Sequence, residues 1–104
     1  LAFVPYISRD AQKALGLDNR HAASLTNEDA VDKARIKIEN IKVPMLLLSG
    51  GEDQSWPSTE MANDICARAL SNCEHVSYSQ GDHLLTNFSV TAFAEVAKFL
   101  KQIN

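Results

Sequence analysis

The chain has 104 residues, 45% of them apolar, with three prolines and four glycines. That balance fits one compact globular unit and excludes a disordered or collagen-like chain. The formal net charge is -3, and the scattered lysines and arginines leave no basic patch for nucleic acid or an anionic membrane, so a small-molecule partner is expected. The longest apolar run, Val43 to Leu48 broken by Pro44, falls far short of the roughly 20 residues needed to cross a bilayer. The opening Leu1-Ala-Phe-Val-Pro5 lacks the basic flank and cleavage site of a signal peptide, and the start reads as a cut. A piece of a larger fold must expose surface that its missing part would cover. Cys66 and Cys73 match neither a CxxC pair nor a zinc spacing, which reads as two structural thiols in a reducing, cytoplasmic compartment.

Residues 1 to 25 show no clean period and read as loop with a short helix near Asp10 to Leu15. Thr26, followed by Asn27-Glu28-Asp29, has the chemistry of a helix start, since its oxygen can accept an orphan amide proton while the acids meet the positive end of the dipole. A helix of about ten residues from Asn27 is predicted. Residues 35 to 42, punctuated by Ile36, Ile38 and Ile41, read as an extended lead-in, so residues 1–42 form a loop-and-helix prelude to a core over 43–104.

Val43-Pro-Met-Leu-Leu-Leu-Ser49, ended by Gly50-Gly51, has the continuous apolar character of a strand buried on both faces of a parallel sheet. Pro44 cannot donate to a ladder and belongs at the strand's beginning. A helix from Ser58 to about Ser71 follows, with Met61, Ile65, Ala69 and Leu70 on one side. A strand over Glu74 to Ser79 comes next, then a helix over Val90 to Ile103 with Val90, Phe93, Ala94, Val96, Ala97, Leu100 and Ile103 at core-facing spacing. The strand-helix-strand-helix order predicts an α/β fold with parallel strands joined by right-handed crossovers.

Ligands and catalytic groups of parallel sheets gather at the carboxyl ends of the strands. Two loops qualify. Ser49-Gly-Gly-Glu-Asp53-Gln-Ser-Trp56-Pro57 turns sharply off the first strand and offers adjacent carboxylates beside a large aromatic. Ser79-Gln-Gly-Asp-His83 presents a histidine after the second. An acid beside an imidazole there can fix the histidine's tautomer and stabilise its protonated form during base catalysis. Trp56 is a candidate wall for an acyl pocket, although packing beneath the loop would also account for it. His21 and His75 read as surface residues, and no metal-ligand spacing is present.

These motifs carry a resemblance. Pro44-Met-Leu-Leu-Leu-Ser-Gly-Gly-Glu-Asp-Gln-Ser-Trp-Pro-Ser58, Met61-Ala62, His75-Val-Ser-Tyr78 and Gly81-Asp-His83 resemble the C-terminal part of an α/β-hydrolase. The closest likeness is to the C-terminal domain of acyl-CoA thioesterases and bile-acid-CoA:amino acid N-acyltransferases, with their dienelactone-hydrolase-like relatives. The resemblance implies that Asp53 is the triad acid, Glu52 its non-catalytic neighbour and His83 the base, five residues after Tyr78. It implies an acyl thioester or ester substrate and no cofactor. Asp82 stands where the family usually has a small residue and is the rival partner for His83.

A hydrolase of this fold needs a G-x-S-x-G elbow, and the chain order is serine, acid, histidine. None of the four glycines flanks a serine in that pattern. The nucleophile is therefore expected upstream of Leu1, and the 104 residues alone are expected to be inactive. A dienelactone or carboxylic ester hydrolase, or a non-catalytic hydrolase-like binding module, are the other readings. An open, apolar sheet edge would favour a homo-oligomer.

Overall fold

The computed structural model describes residues 4–17 and 19–104, apart from the side chains of His21 and Ala22, so the expectation for His21 lies outside it. The chain forms two compact units, Leu1–Ile36 and Lys37–Asn104.

Among its described residues the first unit holds three short helices: α1 (Arg9–Ala14), α2 (Arg20–Ser24) and α3 (Glu28–Ala34). The Ser8 hydroxyl caps α1 by accepting from the Ala11 amide, and Gly16, at φ +66°, gives the left-handed turn that commonly stops a helix. The sequence did not announce α2. It is held by Ser24, buried beside Ala23, whose hydroxyl donates to the Arg20 carbonyl at 2.7 Å and accepts from the Ile7 amide at 3.1 Å. Asn27, not Thr26, caps α3: its side chain accepts from the Ala30 amide, while the Thr26 hydroxyl donates back to Ala23. The helix is seven residues long rather than ten, because Arg35 turns to an extended conformation.

The second unit is α/β. Its lead-in is not wholly extended, since Ile38–Asn40 makes a 3-10 turn that buries Ile38. Two strands, β1 (Met45–Gly50) and β2 (Cys73–Tyr78), pair in parallel with Met45 opposite Cys73 and Gly50 opposite Tyr78. Pro44 lies just ahead of the ladder, where its missing N–H costs no bond. The apolar side chains of β1 are half-buried rather than enclosed on both faces, because each strand has only one described neighbour.

Between the strands runs α4 (Ser58–Arg68), packed on both of them. It stops three residues short of the expected end, and the face it buries centres on Ala62, leaving Met61 and Leu70 exposed. Cys66 near its end and Cys73 at the start of β2 form a disulfide. The expectation of two separate thiols is therefore wrong, and with it goes the argument for a reducing compartment. A seven-residue separation matches no named motif, but a helix end folded back onto the next strand brings the two sulfurs together.

After a second 3-10 turn at Thr86–Phe88, α5 (Ser89–Ile103) packs against β1. The expected core face is not the one it buries. Val90 is 83% and Phe93 76% exposed, and Val96, Leu100 and Ile103 are exposed as well, whereas Ala92, Glu95 and Phe99 are the half-buried positions. Apolar residues cover most of this helix's circumference, so periodicity alone does not single out the side that meets the sheet. Among the described residues no helix is long and apolar enough to cross a membrane.

Candidate active site

The two loops foreseen at the carboxyl ends of the strands lie side by side, and backbone bonds stitch them together. The Gly51 amide donates to the Tyr78 carbonyl at 2.8 Å and the Glu52 amide to the Gly81 carbonyl at 2.9 Å. The approach is so close that a Cβ on Gly50 would run into the carbonyl oxygens of Gly81 and Asp82, and one on Gly51 into the Ser79 backbone. Absence of a side chain is the property these two glycines supply.

Asp53 follows at once. One carboxylate oxygen accepts from the amides of Ser55 and Trp56 at 2.8 and 2.9 Å, an Asx turn that fixes the group inside its own loop. His83 Nδ1 approaches the other oxygen at 3.0 Å and the first at 3.2 Å. The Asp53 side chain is only 3% exposed while that of His83 is 46% exposed. The acid is thus sheltered, and the imidazole stands between it and solvent. Burial pushes the Asp53 carboxyl up, but hydrogen bonds from the Trp56 amide, the His83 ring, the Ser58 hydroxyl and the Ser55 amide outweigh it. They hold the group at about 2, below its ordinary 3.8. An ionised acceptor requires a proton on Nδ1, and no described residue bonds Nε2, the nitrogen then able to accept one.

Asp82 is occupied elsewhere. Its oxygens accept from the Thr86 amide at 2.9 Å and the Thr86 hydroxyl at 3.0 Å, and these bonds, the amide first, lower its carboxyl. It caps the turn in which Leu85 adopts the left-handed region at φ 52°, a conformation that costs a non-glycine residue about 1 kcal/mol or more. The carboxylate that meets His83 is Asp53. Tyr78, five residues before His83, is buried and packs its ring on Phe88 at 5.1 Å between centroids. Trp56 is half-buried at the end of the Asp53 loop.

One expectation is corrected. His75 is not a free surface residue: it is half-buried, with Nε2 at 2.7 Å from the Ser49 hydroxyl and Nδ1 at 2.9 Å from Asn63 Oδ1. The available signal was the alternation that puts His75 and Ser77 on one face of β2, opposite a serine at the end of an otherwise apolar strand. No cluster of three or more metal-ligating side chains occurs among the described residues.

A sheltered acid and an exposed histidine thus meet on adjoining loops at the carboxyl end of a parallel sheet, where ligands and catalytic groups of such sheets gather, and the fold is that of an α/β-hydrolase-type domain. Residues 6–102 match the family described as BAAT / Acyl-CoA thioester hydrolase C terminal, and the chain belongs to that family. Comparisons with curated proteins and with solved structures gave no match.

Proposed function

We propose that Asp53 and His83 are the acid and base of a serine-type acyl hydrolase or acyltransferase acting on acyl-CoA thioesters, with the nucleophilic serine in a segment preceding Leu1. The observation that carries this reading is the Nδ1 contact of His83 with a buried, ionised Asp53, which leaves Nε2 unbonded. In the intact enzyme Nε2 takes the serine proton as the oxygen attacks the thioester carbonyl. Asp53 stabilises the resulting imidazolium, which then protonates the departing thiolate. The acyl-serine is released to water or an amine by the same route, with His83 again accepting the proton. No cofactor takes part. Trp56 forms part of the wall that receives the acyl chain.

The test is turnover of decanoyl-CoA and p-nitrophenyl acetate by the full-length protein and by residues 1–104 alone. The full-length protein should release thiol from the acyl-CoA and lose that activity in His83→Ala, while the 104 residues should be inactive. Preference for the aryl ester would favour an ester hydrolase, and absence of turnover on both a binding module. The two-stranded sheet has edges that no described strand pairs, and association of two chains through such an edge belongs to the same proposal. A monodisperse monomer by light scattering would count against the association.

A further inference from the structure

Beneath the acid and base lies a second polar constellation. Thr59 and Asn63, one turn apart on α4, face His75 and Ser77 on β2 and Ser49 on β1, which is the register partner of Ser77. Their side chains form one chain of hydrogen bonds: Ser77 to Thr59 at 3.2 Å, Thr59 to Ser49 at 3.0 Å, Ser49 to His75 at 2.7 Å and His75 to Asn63 at 2.9 Å. With the imidazole proton on Nδ1, donated to Asn63 Oδ1, each remaining hydroxyl donates to the next acceptor and all four bonds run in one direction. Ser49, His75 and Asn63 have the connectivity of nucleophile, base and orienting amide, yet Ser49 is only 2% exposed. Its oxygen has no approach for a substrate, so the constellation serves position rather than attack.

What it positions follows from the chain path. The loop carrying Asp53 leaves β1 at Gly50, directly after Ser49, and ends at Ser58, directly before Thr59. The Ser58 hydroxyl oxygen also lies 3.3 Å from the Gly50 carbonyl oxygen, so its one proton is shared between that carbonyl and Asp53. Ala62 is the one buried apolar residue of α4, and the Cys66–Cys73 disulfide secures the opposite end of the helix. Side-chain hydrogen-bond networks are directional and rigidify the elements they join. We infer that His75 is a positioning residue, the strut that locks the start of α4 to both strand ends and thereby holds Asp53 against His83. The inference deepens the proposed acid-and-base reading and rests on it for its effect on turnover.

In the full-length protein, His75→Leu should lower kcat on decanoyl-CoA about 10- to 100-fold with KM within about twofold, since a displacement near 1 Å costs on the order of 10²-fold. His75→Gln, which keeps a donor and an acceptor at similar reach, should recover most of that loss. Amide exchange over residues 51–57 should quicken about tenfold in His75→Leu, with α5 unchanged. Thr59→Val breaks the same chain at nearly constant volume and should reproduce both effects, which covers the case in which His75→Leu fails to fold. Unchanged exchange over 51–57 in either folded variant, or an equal increase in α5, would overturn the inference. So would a glutamine variant no better than leucine. Asp53→Asn separates the two proposals: if it leaves turnover intact, the acid-and-base reading falls, while exchange over 51–57 still decides the role of His75.

Discussion

Two histidines lie eight positions apart in this chain, and their surroundings divide the work of the second unit. His75 is wedged between α4 and the strands with both ring nitrogens engaged by neutral partners. His83 sits beyond the strand end, bonded through one nitrogen to an ionised carboxylate, with nearly half of its side chain exposed. Both belong to Ser/His-type chemistry on paper. What separates them is access and charge: a ring saturated with neutral bonds is a brace, and a ring oriented by a buried anion with one nitrogen open is equipped to move protons.

The largest expected effect falls on the exposed member. In the full-length protein His83→Ala should lower kcat by roughly 10⁶-fold and Asp53→Asn by about 10⁴-fold, the scales lost when a triad histidine is removed or loses its orienting acid. Steady-state thioester turnover checks both, and either variant within tenfold of the unaltered protein would erase the proposed contrast. Gly50→Ala should come next. Its methyl group meets the Gly81 and Asp82 carbonyls, so unfolding in urea should show a loss of about 2 to 3 kcal/mol, at the upper end of overpacking costs, together with weaker turnover. Replacing both cysteines by alanine should cost about 2 kcal/mol by the chain-entropy argument for so short a loop, again read by urea unfolding.

Acid sharpens the comparison further. The folded Asp53 carboxyl lies at about 2, below its ordinary 3.8, so the stability it contributes is fully present above about pH 4 and is lost as the pH falls through 2. Thermal melts between pH 5 and 2 should show a steeper decline for the unaltered protein than for Asp53→Asn. The smallest effect should come from Asp82→Ala, which removes a turn cap and not the anion behind His83, and should lower turnover less than tenfold.

Local signals made the second unit's plan and its acid-and-histidine pair legible. A continuous apolar run ended by two glycines marks β1, and the carboxylate loop and the Tyr78-to-His83 interval each lie within one short stretch. The missed features depend on distant partners. Cys66 and Cys73 meet only after α4 folds back on β2, and the network around His75 draws its five residues from three elements. Near α5 the difficulty was of another kind: apolar residues on most of its circumference left the inward side undetermined until the helix met β1. Asn27 displaced Thr26 as a cap because both are competent and tertiary context chose between them.

The backbone bonds that join the two loops past the strand ends fix more than their shape. Because Gly51 and Glu52 continue the pairing into Tyr78 and Gly81, the two loops are held at the spacing of neighbouring strands, about 4.8 Å, and the side-chain bonds of Asp53 and His83 are made within that frame. A ruler made of peptide groups is indifferent to most substitutions around it. The spacing of the two loops is therefore insensitive to most side-chain changes, and what such changes can alter is how Asp53 sits within its own loop.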